Sequence, residues 1–126
     1  MKTRVEITRQ PLVASGVTSG DGTSGAVVEF AGVVRGEEEG APITALDYEA
    51  YEAMARSEME RIVRELSAQY PCHEVEITHR IGHVPAGEAS ILVRIAAKHR
   101  AEAFGLLTEF MDRLKRDVPI WKKVSP

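Results

Sequence analysis

The sequence is short of cysteine, of tryptophan and of long apolar runs. Cys72 is the only cysteine among 126 residues, so no disulfide can form within the chain, which is compatible with a reducing compartment. No apolar run approaches the roughly 20 residues needed to span a bilayer, and the first stretch, MKTRVEITRQP, is too polar for a secretory signal. We therefore expect a cytoplasmic protein without a membrane-spanning segment.

The chain also has no excess of basic residues. It carries 16 Lys and Arg against 19 Asp and Glu, a net charge of -3. Non-specific binding to nucleic acid or to a membrane surface needs a basic excess, so neither is expected as a partner, and any anion site must be a local cluster. Apolar residues make up 44% and charged residues 28%, as in ordinary globular domains. With no repeat and no separating linker, we expect a single domain over residues 1–126.

Hydrophobic periodicity predicts strands and two helices. The first helix is expected to bury Met59, Ile62, Val63, Leu66 and Tyr70, and the second Phe104, Leu107, Met111, Leu114 and Val118. Gly32 lies inside a β-branched run and suggests a bulge. The stretch HVPAGEA is expected to be a turn, and residues 11–25 a loop with one helical turn. The predicted strands are Arg4–Thr8, Ala26–Arg35, Ile43–Tyr51, His73–Gly82, Ser90–Lys98 and the closing IWKKV; the predicted helices are Glu52–Tyr70 and Arg100–Arg116.

The order of these elements predicts an α+β fold. From Ile43 onward they run β-α-β-β-α-β, the order of a split-βαβ unit. The expected architecture is an antiparallel or mixed sheet with two helices on one face, and His73–Gly82 is expected to pair with Ser90–Lys98 as a hairpin.

Cationic side chains occur at the ends of several predicted elements. Arg35 ends a strand. His99 and Arg100 begin the second helix, where free backbone N–H groups favour a phosphate or a carboxylate. The alternative is that both are solvated loop residues. Near the end of the chain the basic residues are Lys115, Arg116, Lys122 and Lys123.

Two of these lysines are candidates for chemistry. Neighbouring cations can depress a lysine pKa and make Lys115 or Lys122 a base or nucleophile. The alternative is that cations in the last helical turn only complement the helix dipole.

Other polar features favour structural interpretations. His79 and His83 are four residues apart, but no cysteine or carboxylate set completes a metal shell, so no metal site is expected. Glu37, Glu38 and Glu39 are interpreted as a solvated loop face. Trp121 is interpreted as a core or interface anchor.

Five segments, in order, resemble the molybdopterin synthase large (catalytic) subunit family: GAVVEFAGVVR, LDYEAYEAMA, ITHRIGHVPAGE, AAKHRAEAF and DRLKRDVPIWKK. The resemblance implies an α/β hammerhead fold with an added antiparallel β subdomain. It implies sulfur transfer from the C-terminal Gly-Gly thiocarboxylate of a ubiquitin-like small subunit to cyclic pyranopterin monophosphate, with no cofactor or metal. It also implies a homodimer of large subunits within a heterotetramer.

The resemblance also implies roles for individual residues. Lys115 and Lys122 would be catalytic. Phe30 would be a packing wall. The remaining substrate-binding residues would be Arg35, His99, Arg100 and Lys123.

The chain departs from the family pattern at its last residues. Val124 stands where members often have Glu after the two basic residues of the WKK motif, and members often continue past Pro126 with a further arginine. We expect these departures to leave the anion-binding site less complete than in other family members. Two alternatives to an enzyme stay open: a non-catalytic family member that binds the small subunit or a phosphorylated ligand without turnover, and a generic anion-binding split-βαβ domain.

Overall fold

The structure, a computed structural model, describes residues 1–14 and 22–125. The loop predicted for residues 11–25 falls largely on 15–21, outside the described residues, and its flanks form neither helix nor strand. In chain order the elements are β1 (Lys2–Thr8), β2 (Ala26–Val33), β3 (Glu37–Glu38), β4 (Ala41–Pro42), β5 (Ala45–Ala50), α1 (Glu52–Leu66), β6 (Glu74–Arg80), β7 (Gly82–Pro85), β8 (Ala89–Ala97), α2 (Arg100–Asp117) and β9 (Ile120–Ser125).

A mixed four-stranded sheet carries the main core. Its strand order is β1-β6-β8-β2, with β1 and β6 parallel and the other two pairs antiparallel. Both helices pack against this sheet and against each other, and the main apolar core lies between the two layers. The predicted α+β class, with two helices against a mixed sheet, is therefore confirmed, as is the antiparallel pairing of β6 with β8.

The split-βαβ assignment from Ile43 onward is wrong. Strands β5 and β9 do not join the main sheet but form a separate antiparallel sheet of order β7-β5-β9. The stretch expected to be only a turn contains β7, because Gly82 adopts a φ of 88° after β6 and redirects the chain toward β5. This second sheet is the antiparallel addition that the family resemblance implied, and it has its own small core of Val34, Ile43, Leu46 and Val84.

The helices bury stripes that match the prediction closely in α1 and only partly in α2. In α1 the predicted Met59, Ile62, Val63 and Leu66 are buried, whereas Tyr70 lies beyond the helix end. In α2 the predicted Phe104 is 53% exposed. The buried face of α2 is rotated relative to the predicted one, because smaller side chains and residues next to the predicted ones pack against the sheet. The buried residues of α2 are Ala103, Leu106, Leu107, Phe110 and Leu114. Neither helix of the described residues is long and apolar enough to cross a membrane.

Candidate functional site

A cavity of about 520 Å³ opens where the main sheet, the C-terminal end of α2 and the second sheet meet. Four of the residues predicted for the site line it: Phe30, Arg35, Lys115 and Lys122. Three cations against one carboxylate, that of Glu38, give its wall a positive charge. An arrangement of this kind suits a small ligand that carries an anionic group.

Arg35 reaches the cavity through an irregular end of β2. The pairing of β2 with β8 shifts register between Gly32 and Val33, which confirms the predicted bulge. A Cβ at Gly32 would lie 2.7 Å from Cγ2 of Ile91, so this close approach of the two strands requires glycine. Val34 then donates its N–H to the carbonyl of Glu88 at 3.0 Å, which leads Arg35 out beside the cavity. Within the described residues the Arg35 guanidinium has no hydrogen-bond or ion-pair partner.

Lys115 lies in the last turn of α2. The helix ends at Asp117, Val118 is extended and Pro119 follows, so the chain returns as β9 beside the same cavity. The Lys115 side chain is exposed, and no carboxylate in the described residues pairs with it. Its position is compatible with the dipole interpretation, because the helix C-terminus favours a cation. Its ammonium is nevertheless available to a ligand in the cavity.

Lys122 and Lys123 lie on opposite faces of β9. Lys122 is opposite Tyr48 of β5 and lines the cavity, where its Nζ lies 3.2 Å from Oε1 of Glu38. Lys123 is opposite Asp47, and its Nζ lies 3.7 Å from Oε1 of Glu49. Because neighbouring strand residues alternate between faces, Lys123 lines a different depression and is not brought together with Lys115 and Lys122.

His99 and Arg100 are two further predicted site residues that lie outside this cavity. They begin α2, whereas Lys115 lies in its last turn. Fifteen residues of helix separate Arg100 from Lys115, about 22 Å along the axis. Both side chains are exposed, and His99, the N-cap residue, makes no side-chain capping hydrogen bond. One chain therefore does not bring all six predicted cations together.

His79 is a cavity residue whose role the sequence did not reveal. It is 5% exposed, and the Tyr48 ring packs edge-on against it with centroids 5.3 Å apart. Its Nδ1 lies 2.8 Å from the carbonyl oxygen of Arg80, which can only accept, so Nδ1 donates. Burial lowers the His79 pKa, so the imidazole is neutral at neutral pH. In the sequence His79 shares one alternating face with the apolar Val75, Ile77 and Ile81, and a polar residue on that otherwise apolar face was the available signal.

Two further cavity residues differ in part from their sequence interpretation, while the interface role of Trp121 stays a prediction. Trp121 is not a core residue: it is 39% exposed, its Nε1 donates to Oε2 of Glu49 at 2.9 Å, and its ring lies 5.1 Å from that of Tyr51. Glu38 is not simply a solvated loop residue, because it pairs with Lys122 across the cavity. No spacing in the sequence links Glu38 to Lys122, since the two meet only through tertiary structure.

Metal-binding side chains are not grouped in the part of the chain that the structure describes. Across residues 1–14 and 22–125, no cluster of three or more His, Cys, Asp or Glu side chains could hold a metal ion. His83 instead hydrogen-bonds through Nδ1 to Oδ1 of Asp47 at 2.8 Å. What the cavity offers a ligand is therefore ammonium, guanidinium, imidazole and aromatic groups.

Comparisons with known proteins agree on one family. The family model described as MoaE protein matches residues 6–117. A molybdopterin synthase catalytic subunit from Oryza sativa subsp. indica is 44% identical over 103 residues, which cover 82% of this chain and 53% of that protein. The protein of the same name from Pyrococcus abyssi is 45% identical over 101 residues, covering 80% of this chain and 68% of that one. The chain thus spans about half the length of the rice relative.

Solved structures with this fold carry related descriptions. Molybdopterin synthase from Staphylococcus aureus superposes with a TM-score of 0.86 at 32% identity, covering 94% of this chain and 88% of that chain. A complex of subunits 1 and 2 of molybdopterin-converting factor from Helicobacter pylori gives 0.68 at 28% identity, covering 81% of this chain and 66% of that chain. With a family model that extends over most of the chain and relatives this similar in sequence, the chain belongs to the MoaE family.

Proposed function

We propose that this chain is a catalytic subunit of molybdopterin synthase. It would transfer sulfur from the C-terminal thiocarboxylate of a ubiquitin-like small subunit to cyclic pyranopterin monophosphate and so build the molybdopterin dithiolene. The observation that carries the proposal is the single cavity lined by Arg35, Lys115 and Lys122 in a member of the MoaE family. Its volume of about 520 Å³ lies in the range that binds small organic ligands. The cytoplasmic location expected from the sequence is part of the proposal.

The charges of the cavity suit both reactants. Cyclic pyranopterin monophosphate carries a phosphate, and the donor tail ends in an anionic thiocarboxylate, so each needs cationic contacts in a pocket away from bulk water. Arg35 lines the cavity, is exposed and would receive a phosphate. Lys115 and Lys122 come from two different elements and lie beside the same space. Phe30 adds an apolar wall for a ring.

In the proposed step the lysines stabilise charge and move protons. The thiocarboxylate sulfur attacks an oxygen-bearing carbon of the pterin side chain; a carbon–sulfur bond forms, a carbon–oxygen bond breaks, and the displaced oxygen is protonated as it leaves. Water then attacks the acyl carbon, the acyl–sulfur bond breaks, the sulfur stays on the pterin, and the small subunit leaves with an ordinary carboxylate. Two rounds supply the two sulfurs. As ammonium groups, Lys115 and Lys122 stabilise the oxyanion and donate protons, and the amine left after donation accepts a proton in return, so the step as proposed uses no metal or cofactor.

A small-subunit partner and a homodimer belong to the same proposal. The Helicobacter pylori structure that resembles this chain is described as a complex of two subunits, which supports a small-subunit partner here. His99 and Arg100 lie at the opposite end of α2 from Lys115, about 22 Å along the helix axis, and do not line its cavity. If they bind substrate, they do so in the cavity of a second copy, which we place in a homodimer within a heterotetramer. The outer edge of β2 has no pairing strand in the described residues and offers a route for such contact.

A reconstituted assay tests the lysine roles. The chain is mixed with a thiocarboxylated small subunit and cyclic pyranopterin monophosphate, and molybdopterin is measured. Lys115→Ala and Lys122→Ala should each lower kcat by about 100-fold or more, the usual effect of losing a positioned acid or base. Lys2→Ala is the matched control, because Lys2 is an exposed lysine at the start of β1, outside the cavity.

The outcomes separate the candidate functions. Turnover that survives in both lysine variants removes the lysine assignment. An unmodified chain that binds the small subunit but forms no product would favour the non-catalytic alternative suggested by Val124. No dependence on a Gly-Gly partner would favour a generic anion-binding domain.

A further inference from the structure

Glu38 is the one carboxylate in the lining of the cavity. Its Oε1 lies 3.2 Å from Nζ of Lys122, and its side chain is 24% exposed compared with 48% for Lys122. Within the described residues Lys122 has no other carboxylate partner. Lys122, one of the cations assigned to the reactants, is therefore already paired with a carboxylate of its own chain.

The other two cations of the cavity differ in this respect. Arg35 and Lys115 line the same space but make no ion pair with any described residue. An anion can bind Arg35 and Lys115 without breaking a contact within the protein, whereas it must compete with Glu38 for Lys122. Two of the three cations are thus unpaired and can bind an anion directly, and the third is already paired with Glu38.

Glu38 lies on a short hairpin that can change conformation easily. It ends β3, which forms with β4 a hairpin of only two residues per strand, separate from both larger sheets. The turn uses Glu39 at φ 51° and Gly40 at φ 82°, and the left-handed conformation is unfavourable for Glu39. Outside its own pairs the hairpin is closed by the N–H of Ile43 donating to the carbonyl of Gly36 at 3.1 Å. A hairpin this short is marginal by itself, so moving the Glu38 carboxylate requires little rearrangement.

We propose that Glu38 is a displaceable counter-ion that sets how tightly this cavity binds an oxyanion. It holds Lys122 in place beside the empty cavity and releases it when a ligand's anionic group arrives. The inference rests on the proposed function only for the identity of that ligand. The anionic group is a phosphate or the carboxylate-type end of a peptide, which share the same oxyanion chemistry.

Glu38→Gln tests the proposal, with Glu37→Gln as the matched control. Both variants remove one negative charge from the same strand, but Glu37 is exposed and does not line the cavity. Binding of two probes is measured by calorimetry or NMR: inorganic phosphate, and a short peptide ending in Gly-Gly with a free carboxylate. At low salt Glu38→Gln should bind one or both probes about two- to five-fold more tightly, as expected for loss of a partly exposed ion pair. The gain should shrink as salt screens the charges, and Glu37→Gln should show no gain.

The probe that gains identifies the ligand group that Lys122 receives. Equal or weaker binding of both probes to Glu38→Gln, in a variant whose thermal unfolding matches the unmodified chain, overturns the proposal. A second pair guards against a merely local charge effect: in a Lys122→Gln background, Glu38→Gln should produce a clearly smaller gain, and an equal gain overturns the counter-ion role.

The enzymatic arm keeps this inference separate from the proposed function. In the sulfur-transfer assay Glu38→Gln should lower KM for cyclic pyranopterin monophosphate or for the small subunit by a similar factor, because the bound ground state gains the Lys122 contact. If the chain transfers sulfur but Glu38→Gln leaves both KM values and probe binding unchanged, the counter-ion role fails and the function stands. If probe binding tightens but no chain transfers sulfur, the function fails and the counter-ion role stands.

Discussion

Mixing two inactive variants tests whether the site is shared between copies of the chain. Arg100 and Lys115 lie at opposite ends of α2, about 22 Å apart along the helix axis, which exceeds the combined reach of an extended arginine and an extended lysine. In a homodimer with shared sites, each site combines Lys115 of one chain with Arg100 of the other. A dimer of one Lys115→Ala chain and one Arg100→Ala chain therefore contains one site with both substitutions and one intact site. Mixing the two variants in equal amounts should therefore restore about a quarter of the unmodified activity, since half of the dimers are mixed and each has one working site of two.

The assay is sulfur transfer with a thiocarboxylated small subunit, measured before and after the two chains are dissociated and reassociated together. Each variant alone should be nearly inactive. Two variants altered at the same end, Lys115→Ala and Lys122→Ala, form the control pair, because both residues line one chain's cavity and can restore a site only if they come from different chains. Restoration by this control pair, or none by the first pair while Arg100→Ala alone is inactive, would refute the assignment of Arg100 to the partner's cavity.

Three further predictions concern stability and reactivity. Gly105→Ala should lower the free energy of unfolding by about 1–2 kcal/mol, measured by urea denaturation, because overpacking outweighs the gain in helix propensity. The added Cβ would lie 2.3 Å from Cε1 of Tyr70, and the Tyr70 hydroxyl donates to Glu109 at 2.6 Å. Burial lowers the pKa of His79 below its usual 6.5, so the unfolded chain protonates this imidazole more readily than the folded chain does. The free energy of unfolding should therefore fall as the pH drops below 6.5. His79→Phe should show a flatter dependence of the free energy of unfolding on pH, and equal slopes for the two proteins would contradict this. Burial raises the pKa of the Cys72 thiol to about 11, so iodoacetamide at pH 8 should modify it slowly in the folded protein and rapidly in denaturant, as followed by mass spectrometry.

Local patterns predicted most of the main sheet and both helices. The alternation in His73–Gly82 reported a strand with one buried face, and Val75, Ile77, His79 and Ile81 are all buried as that pattern requires. Strand β7 escaped prediction because it has only four residues, begins with Gly82 and ends with Pro85, and its pairing with β5 is a contact distant in sequence. Phe104 was misassigned because a hydrophobic residue one position from the buried stripe looks the same in the sequence.

The site was predictable where an element's end determined the position. Arg35 follows a strand, Lys115 ends a helix and Lys122 lies on the returning strand, and these three share a cavity. The same reasoning grouped His99 and Arg100 with them, although a long helix holds its two ends far apart. Glu38 could not be found, because its partner Lys122 is distant in sequence and the two meet only in the tertiary structure.

The position of Trp121 gives the molecule an optical reporter of its own. It is the chain's only tryptophan, it lines the cavity beside Lys122, and its partly exposed indole rests against Tyr51. Any ligand that enters changes the polarity around this one fluorophore. Emission at a tryptophan-selective wavelength therefore follows occupancy without a label, and the same signal can time the arrival of a donor tail in rapid mixing.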